Sequence, residues 1–175
     1  MKKLIISLVA VALAGATQAA SFNWKLSTGS TYASMKVYAI AGTTSDAVLA
    51  AFSSTTADNW TSAVSGITPV TAGTGSRGVA QASIGGVSDG DTIVFAIING
   101  DIANGNNYYV TTAYTIPEGT TYTPPSAGTA QSIAVSLAGS GTFTAGSTPE
   151  PIPEPTSGLL LLLGMAGLAL KRKRA

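Results

Sequence analysis

The sequence predicts a mainly β fold: a small antiparallel β-sandwich or barrel-like domain of about seven strands with one short helix, plus an N-terminal signal peptide and one short C-terminal transmembrane helix. Three observations lead to this prediction. Apolar residues alternate with Ser and Thr in many short segments, which is typical of strands with one solvated face. Clusters of Gly, Asn and Asp separate these segments and suit turns. All the aromatic residues lie between residues 21 and 146, which indicates a packed core there.

The first twenty residues have the composition of a signal peptide. Lys2 and Lys3 precede an apolar run over 4–14, and small residues follow up to Ala20. The apolar run is too short to span a membrane comfortably as a permanent anchor. We therefore assign residues 1–20 to a signal peptide and expect signal peptidase to cleave after Ala19, with cleavage after Ala20 as the alternative.

The alternating pattern places the strands at 22–27, 34–41, 79–84, 91–98, 107–116, 131–137 and 142–145. The clearest pairing is a hairpin between 91–98 and 107–116, joined by a loop rich in Asn and Gly. Segment 45–52 departs from the β pattern. It begins with a candidate N-cap and puts Val48, Leu49 and Phe52 on one face, so it predicts a two-turn helix that packs on the sheet. Residues 58–64 are expected to add a further turn, with Trp60 pointing inward.

The C-terminal region divides into three segments: a Pro/Glu linker over 147–157, an apolar run over 158–170, and a basic tail over 171–175. As a helix the run is about 20 Å long at 1.5 Å per residue, against a hydrocarbon core of about 30 Å. The cations Lys171, Arg172, Lys173 and Arg174 orient the end towards the cytoplasm. This pattern predicts a temporary membrane stop, and the alternative is an ordinary tail anchor without processing.

The residues Pro153-Glu154-Pro155, the leucines at 159–163 and the basic end together resemble the PEP-CTERM sorting tail of bacterial surface proteins. The resemblance covers about the last 23 residues and does not extend to 21–146. It implies recognition by an exosortase, which is a membrane-embedded cysteine protease, and an association with extracellular polysaccharide and biofilm. The expected partners are therefore signal peptidase, an exosortase-type membrane protease and, before processing, inner-membrane lipid.

The charge of the delivered region differs from that of the whole chain. Only Lys25, Lys36 and Arg77 remain between residues 21 and 155, against all eight acidic residues, which gives a net charge of −5. A weakly acidic surface disfavours nucleic acid and anionic lipid as partners, because both need clustered cations. The absence of Cys means that the exported domain has no disulfide.

The chemistry-bearing residues favour a protein without catalytic activity. The sequence contains no His and no Cys, which removes the usual general base, the thiol nucleophile and the common zinc ligands. The acids Asp89, Asp91 and Asp101 are the only close carboxylates, and their Gly-rich context favours turn formation over glycoside hydrolysis. We expect no catalytic residue, no cofactor and no metal site. Ca²⁺ is the one ion left open, on these acids with Asn104 and Asn106.

The sequence thus predicts an exported cell-surface or biofilm-matrix structural protein that is sorted through its tail. The residues assigned to sorting are Pro153, Glu154 and Pro155, and those assigned to the membrane stop are Lys171, Arg172, Lys173 and Arg174. The alternative is a carbohydrate-binding surface module that contacts extracellular polysaccharide through Tyr108 and Tyr109, since aromatic rings stack on sugars. We expect the protein to be held briefly in the inner membrane and then to reach the cell surface.

Overall fold

The computed structural model describes residues 19–74 and 78–146, and this part of the chain is mainly β. The elements in chain order are β1 (Ser21–Ser27), β2 (Lys36–Ala41), α1 (Ser45–Phe52), α2 (Ala57–Ala63), β3 (Val70–Thr71), β4 (Val79–Gly85), β5 (Thr92–Ile98), β6 (Asn107–Thr111), β7 (Tyr114–Thr115), β8 (Gln131–Ala134) and β9 (Leu137–Thr142).

The strands form two sheets. The three-stranded sheet has the order β4-β1-β8, and the six-stranded sheet has the order β3-β2-β5-β6-β9, with β7 also paired to β5. Neighbouring strands are antiparallel except for β1 and β8, which are parallel. The predicted hairpin is confirmed as β5 and β6, in which Ile97 pairs with Tyr109.

The centre of the six-stranded sheet is buried on both faces, which explains the continuous apolar run of β5. Ile93, Phe95 and Ile97 pack against the three-stranded sheet in a sandwich-like arrangement, and Trp24 of β1 meets Phe95 edge-on with ring centroids 5.0 Å apart. The alternate residues of β5, with Tyr108 of β6, belong to a second core on the opposite face. A strand buried on both faces reads as an uninterrupted apolar segment.

Two short helices cover that second face. Thr44 caps α1 by accepting a hydrogen bond at Oγ1 from the Ala47 amide at 3.2 Å, so the cap lies one residue before the predicted one. Phe52 of α1 and Trp60 of α2 are fully buried, as expected from their positions. Trp60 also donates from Nε1 to the Ser54 carbonyl at 2.8 Å. The helices are too short to be stable alone, so this packing holds them in place.

The structure corrects several predicted boundaries. The segment 107–116 is not one strand, because Thr112 and Ala113 separate β6 from β7. A bulge between Val110 and Thr111 interrupts the pairing of β6 with β9 there. The last two strands lie at Gln131–Ala134 and Leu137–Thr142. The further turn expected at 58–64 is a separate helix, Ala57–Ala63, so the described residues form two helices rather than one and nine strands rather than about seven.

Both described cores are built from residues between Phe22 and Phe143, and the described residues up to Ala145 belong to one compact unit. Within the described ranges no helix is long and apolar enough to cross a membrane. The predicted apolar run over 158–170 and the signal segment 1–18 lie outside the described residues.

Candidate functional site

A cleft of about 460 Å³ opens between the two sheets beside β4. It exists because small side chains face each other across the sandwich at this point: Ala39 and Ala41 from β2, and Ala82 from β4. The remaining lining residues are Trp24, Gly66, Ile67, Thr68, Ser83, Ile84 and Gly85. Because no acidic or basic side chain is among them, this cleft can offer apolar contact and hydroxyl or backbone hydrogen bonds, but no proton transfer.

Trp24 is a buried residue at this cleft. Only 2% of it is exposed, and among the described residues its Nε1 has no hydrogen-bond partner. A buried N–H without a partner costs free energy comparable to a lost hydrogen bond. The sequence placed Trp24 with the other aromatic residues in the predicted core region, but its unpaired donor depends on long-range packing and has no local signal.

A second cleft of about 270 Å³ lies on the other side of the sandwich, where β8 faces β6 and β7. Thr111 lies at its edge and is 3% exposed. Its Oγ1 accepts a hydrogen bond from the Phe95 amide at 3.0 Å, at the point where β6 leaves the β5 ladder. This cleft too is lined without carboxylates or amines, by residues such as Leu26, Ser132 and Ile133.

The two tyrosines assigned to ligand binding lie on opposite faces of the six-stranded sheet. Tyr108 is 4% exposed and packs on Phe52 and Phe143, with ring centroids 5.3 and 4.9 Å away. Burial also raises the pKa of its hydroxyl. A ring enclosed in this way cannot stack on a sugar, so the structure corrects the assignment of Tyr108 to a binding surface.

Tyr109 is half-buried and has a different aromatic neighbour. It meets Tyr32 edge-to-face, with ring centroids 4.9 Å apart, at the margin of the sandwich core. Ser140 of β9 pairs with Tyr109 in the ladder and is exposed. Tyr32 was missed by sequence reasoning, because its loop carries no pattern that places it near β6.

The three acids considered for catalysis or Ca²⁺ do not form a cluster. Asp89 and Asp91 precede β5 and Asp101 follows it, so a strand of about 20 Å separates them at 3.4 Å per residue. Asp101 forms an ion pair with Lys36, which lowers the pKa of the Asp101 carboxyl. In the part of the chain that the structure describes, no three acidic residues lie close enough to hold a metal ion together.

Asp89 fastens one loop to another. Its carboxylate accepts hydrogen bonds from the Gly119 amide at 2.6 Å, the Thr121 amide at 3.1 Å and the Thr121 hydroxyl at 2.8 Å. The Gly119 amide is the largest of the contributions that hold the pKa of this carboxyl below its ordinary value. Asp91 accepts from the Ser88 amide at 2.7 Å, which is the turn-forming role expected from the sequence.

The oxygen-rich loop after β5 is likewise bonded internally. Asn104 Oδ1 accepts from the Ala145 amide at 3.1 Å, and Asn106 donates from Nδ2 to the Asp101 carbonyl at 2.8 Å. Both side chains thereby fasten the loop and the end of the last strand. The arrangement gives these two residues a structural role that accounts for their positions without an ion.

Tyr122 fastens a loop that sequence reasoning did not connect to any strand. Its hydroxyl donates to Asn23 Oδ1 at 2.9 Å and lies 2.8 Å from the Ser83 hydroxyl, so it links β1, β4 and the loop before β8. Tyr122 also pairs with Ser21 as a backbone bridge. Through these contacts Tyr122 holds the loop before β8 against the three-stranded sheet.

The residues assigned to sorting and to the membrane stop, Pro153 to Pro155 and Lys171 to Arg174, lie outside the described residues. In comparisons with known proteins, no family model, no curated protein and no solved structure matches this chain.

Proposed function

We propose that this chain is the precursor of a non-catalytic structural protein of the bacterial cell surface or biofilm matrix, exported by its signal peptide and sorted through its C-terminal tail. The observation that carries the proposal is the order of the last residues: Pro153-Glu154-Pro155, the apolar run 158–170 and the four cations after it. Such an order gives a membrane protease an accessible peptide outside the bilayer and a helix that halts the chain beside it.

The boundaries of the fold support processing at both ends. The first strand begins at Ser21, and the last described contact on the C-terminal side is that of Ala145 with Asn104. Cleavage near Pro153 would therefore remove no residue of either core. At the other end, the Gly86 amide donates to the Ala20 carbonyl at 2.8 Å, so cleavage after Ala19 would keep a bond that cleavage after Ala20 would remove.

The chemistry of the described surface supports a structural role. Neither intersheet cleft carries an acidic or basic side chain, and the carboxylates of Asp89 and Asp91 are engaged in loop hydrogen bonds. A further cleft of about 380 Å³ is lined by Asp91, whose carboxylate already accepts a hydrogen bond from the Ser88 amide. The described domain thus offers a weakly charged surface.

The sorting proposal is tested by a matched pair of substitutions. The tail contains two identical tripeptides, Pro149-Glu150-Pro151 and Pro153-Glu154-Pro155, and only the second is assigned to sorting. In the native host, Glu154→Ala should leave the full-length precursor in the inner-membrane fraction, whereas Glu150→Ala should be processed and reach the surface as the wild type does. Equal processing of both variants would contradict the assignment.

A second function, glycan binding, is favoured by the Tyr32 and Tyr109 pair. Both rings are half-buried, and the hydroxyl-bearing Ser140 lies beside Tyr109, a combination that suits contact with a sugar face. We expect a folded domain of residues 21–146 to be retained on insoluble polysaccharide. Tyr109→Ala should lose retention and Tyr109→Phe, which keeps the ring, should not. Retention unaffected by Tyr109→Ala would remove this candidate.

A further inference from the structure

In the described part of the chain, the outer edge of β4 is unpaired from Gln81 to Gly85, whereas at the start of the strand the Val79 carbonyl accepts a hydrogen bond from the Gly73 amide at 2.9 Å. β4 pairs with β1 over its whole length, from Val79 to Gly85, without a break in register. The Gly86 amide donates to the Ala20 carbonyl, and the Thr28 amide donates to the Gly78 carbonyl. Because the backbone groups of successive residues in a strand point to opposite sides, the even-numbered residues of β4 bond to β1 and the odd-numbered residues do not. The amides and carbonyls of Gln81, Ser83 and Gly85 therefore point away from the sheet. Among the described residues no backbone hydrogen bond reaches these groups.

The other strand edges in the described domain are shorter or partly closed. β3 has two residues and β8 has four. β9 begins at the bulge opposite Thr111, and the Thr142 carbonyl accepts a hydrogen bond from the Thr144 hydroxyl at 3.2 Å. β4 has seven residues and carries no charge, no proline and no bulge, and among the described residues the outward backbone groups of Gln81, Ser83 and Gly85 have no partner. Natural proteins usually block such edges with one of these devices, because an open edge pairs with another chain.

The open edge borders the 460 Å³ cleft. Ala82 and Ile84 of β4 face the cleft and are half-buried, across from Ile67 and Thr68 of the loop after α2. A strand that extends the sheet here would place its alternate side chains over the mouth of the cleft. This combination of free main-chain groups and an adjoining apolar cavity is the arrangement used in recognition by strand addition.

We propose that β4 is a self-association site, at which a second copy of this chain adds its own β4 in antiparallel orientation. With Ser83 at the two-fold axis, the outward groups of Gln81 in one copy meet those of Gly85 in the other, so the edge is complementary to itself. The two three-stranded sheets become one continuous sheet across the dimer. Ile84 of each copy then covers the cleft of its partner.

The charge of the edge favours a second copy over a charged partner. β4 carries no ionisable side chain, so two copies approach without repulsion along the strand. The nearest cation on the three-stranded sheet, Lys25, belongs to β1 and pairs with Gln81 from one strand further in. The exposed residues of β4 are Gln81, Ser83 and Gly85, which are uncharged and suit a solvated face of the extended sheet. The inference does not depend on how the chain is sorted.

The test is the association state of residues 21–146, which contain both cores in full. We expect sedimentation equilibrium from micromolar to millimolar protein to show a monomer–dimer equilibrium. Gln81→Pro removes an outward amide without removing a bond to β1, and edge strands tolerate such a proline. It should weaken dimerisation about tenfold or more, because each dimer loses two hydrogen bonds.

Ser140→Pro is the matched control. Its amide also points outward, because the Phe143 amide donates to Asn106 and alternation then turns Ser140 away from β6. This variant should dimerise as the wild type does. A monomer at every concentration would overturn the proposal, as would a dimer that Gln81→Pro leaves intact or that Ser140→Pro weakens equally. Amide exchange adds a direct readout, since Ser83 and Gly85 should become protected as the protein concentration rises.

Discussion

Tyr108→Ala should destabilise the domain rather than only a ligand site. The ring is 4% exposed, packs on Phe52 and Phe143, and lies over Gly141, where an added Cβ would come within 2.5 Å of the Tyr108 hydroxyl oxygen. Truncating a buried aromatic residue to Ala costs about 3–5 kcal/mol of unfolding free energy. For a domain of this size that corresponds to a fall in Tm of roughly 10–20 °C.

Thermal and urea unfolding of residues 21–146 would measure this change. Tyr108→Phe keeps the ring and should stay within about 1 kcal/mol of the wild type. Tyr109→Ala removes a ring that is only half-buried, so its cost should be smaller, about 1–2 kcal/mol. If Tyr108→Ala unfolded at the wild-type temperature and lost only polysaccharide retention, Tyr108 would be a surface residue and the assignment of β6 to the second core would be wrong.

Three further predictions concern Gly141, the loop contacts of Asp89 and the binding of Ca²⁺. Gly141→Ala should lower the free energy of unfolding by about 1–3 kcal/mol, because the added Cβ meets the enclosed Tyr108 ring. Gly85→Ala is the control and should cost much less, since the nearest atom to its added Cβ is the Ser21 hydroxyl oxygen at 3.6 Å. Urea unfolding compares the two variants. In the folded domain the pKa of Asp89 lies below its ordinary value of 3.8, because the Gly119 and Thr121 groups donate hydrogen bonds to the ionised carboxylate. These hydrogen bonds therefore stabilise the fold above pH 3.8, and the stabilisation is lost as the pH falls through the lower folded-state pKa. Asp89→Asn should therefore be less stable than the wild type at pH 7 and equal to it in strong acid, and a difference that persists there would contradict the loop-fastening role. Calorimetric titration with millimolar Ca²⁺ should give no heat, because the candidate carboxylates lie at opposite ends of β5; saturable binding would refute this.

The sequence was sufficient to predict a mainly β domain, the β5–β6 hairpin and helix α1, because these depend on local alternation, turn residues and helical spacing. It also contained a signal that was not used: the uninterrupted apolar run of β5 indicates a strand buried on both faces. That burial requires a layer on each side of the sheet, which the two helices and the three-stranded sheet provide.

The site residues were harder to predict, because their environments are set by contacts distant in sequence. Alternation correctly places Tyr108 and Tyr109 on opposite faces, but it does not say that helix α1 covers the face of Tyr108. The separation of Asp91 from Asp101 could have been read from the predicted strand between them. The parallel pairing of β1 with β8 and the open edge of β4 follow from the order of strands, for which no local signal exists.

The intact mass of the mature protein from the cell-surface fraction of its own host tests the central proposal most directly. We expect a species that begins at Ala20 or Ser21 and ends near Pro153 to Pro155, without the apolar run or the basic tail. A surface species that retains residues 171–175 would show an ordinary membrane anchor and would contradict sorting through the tail.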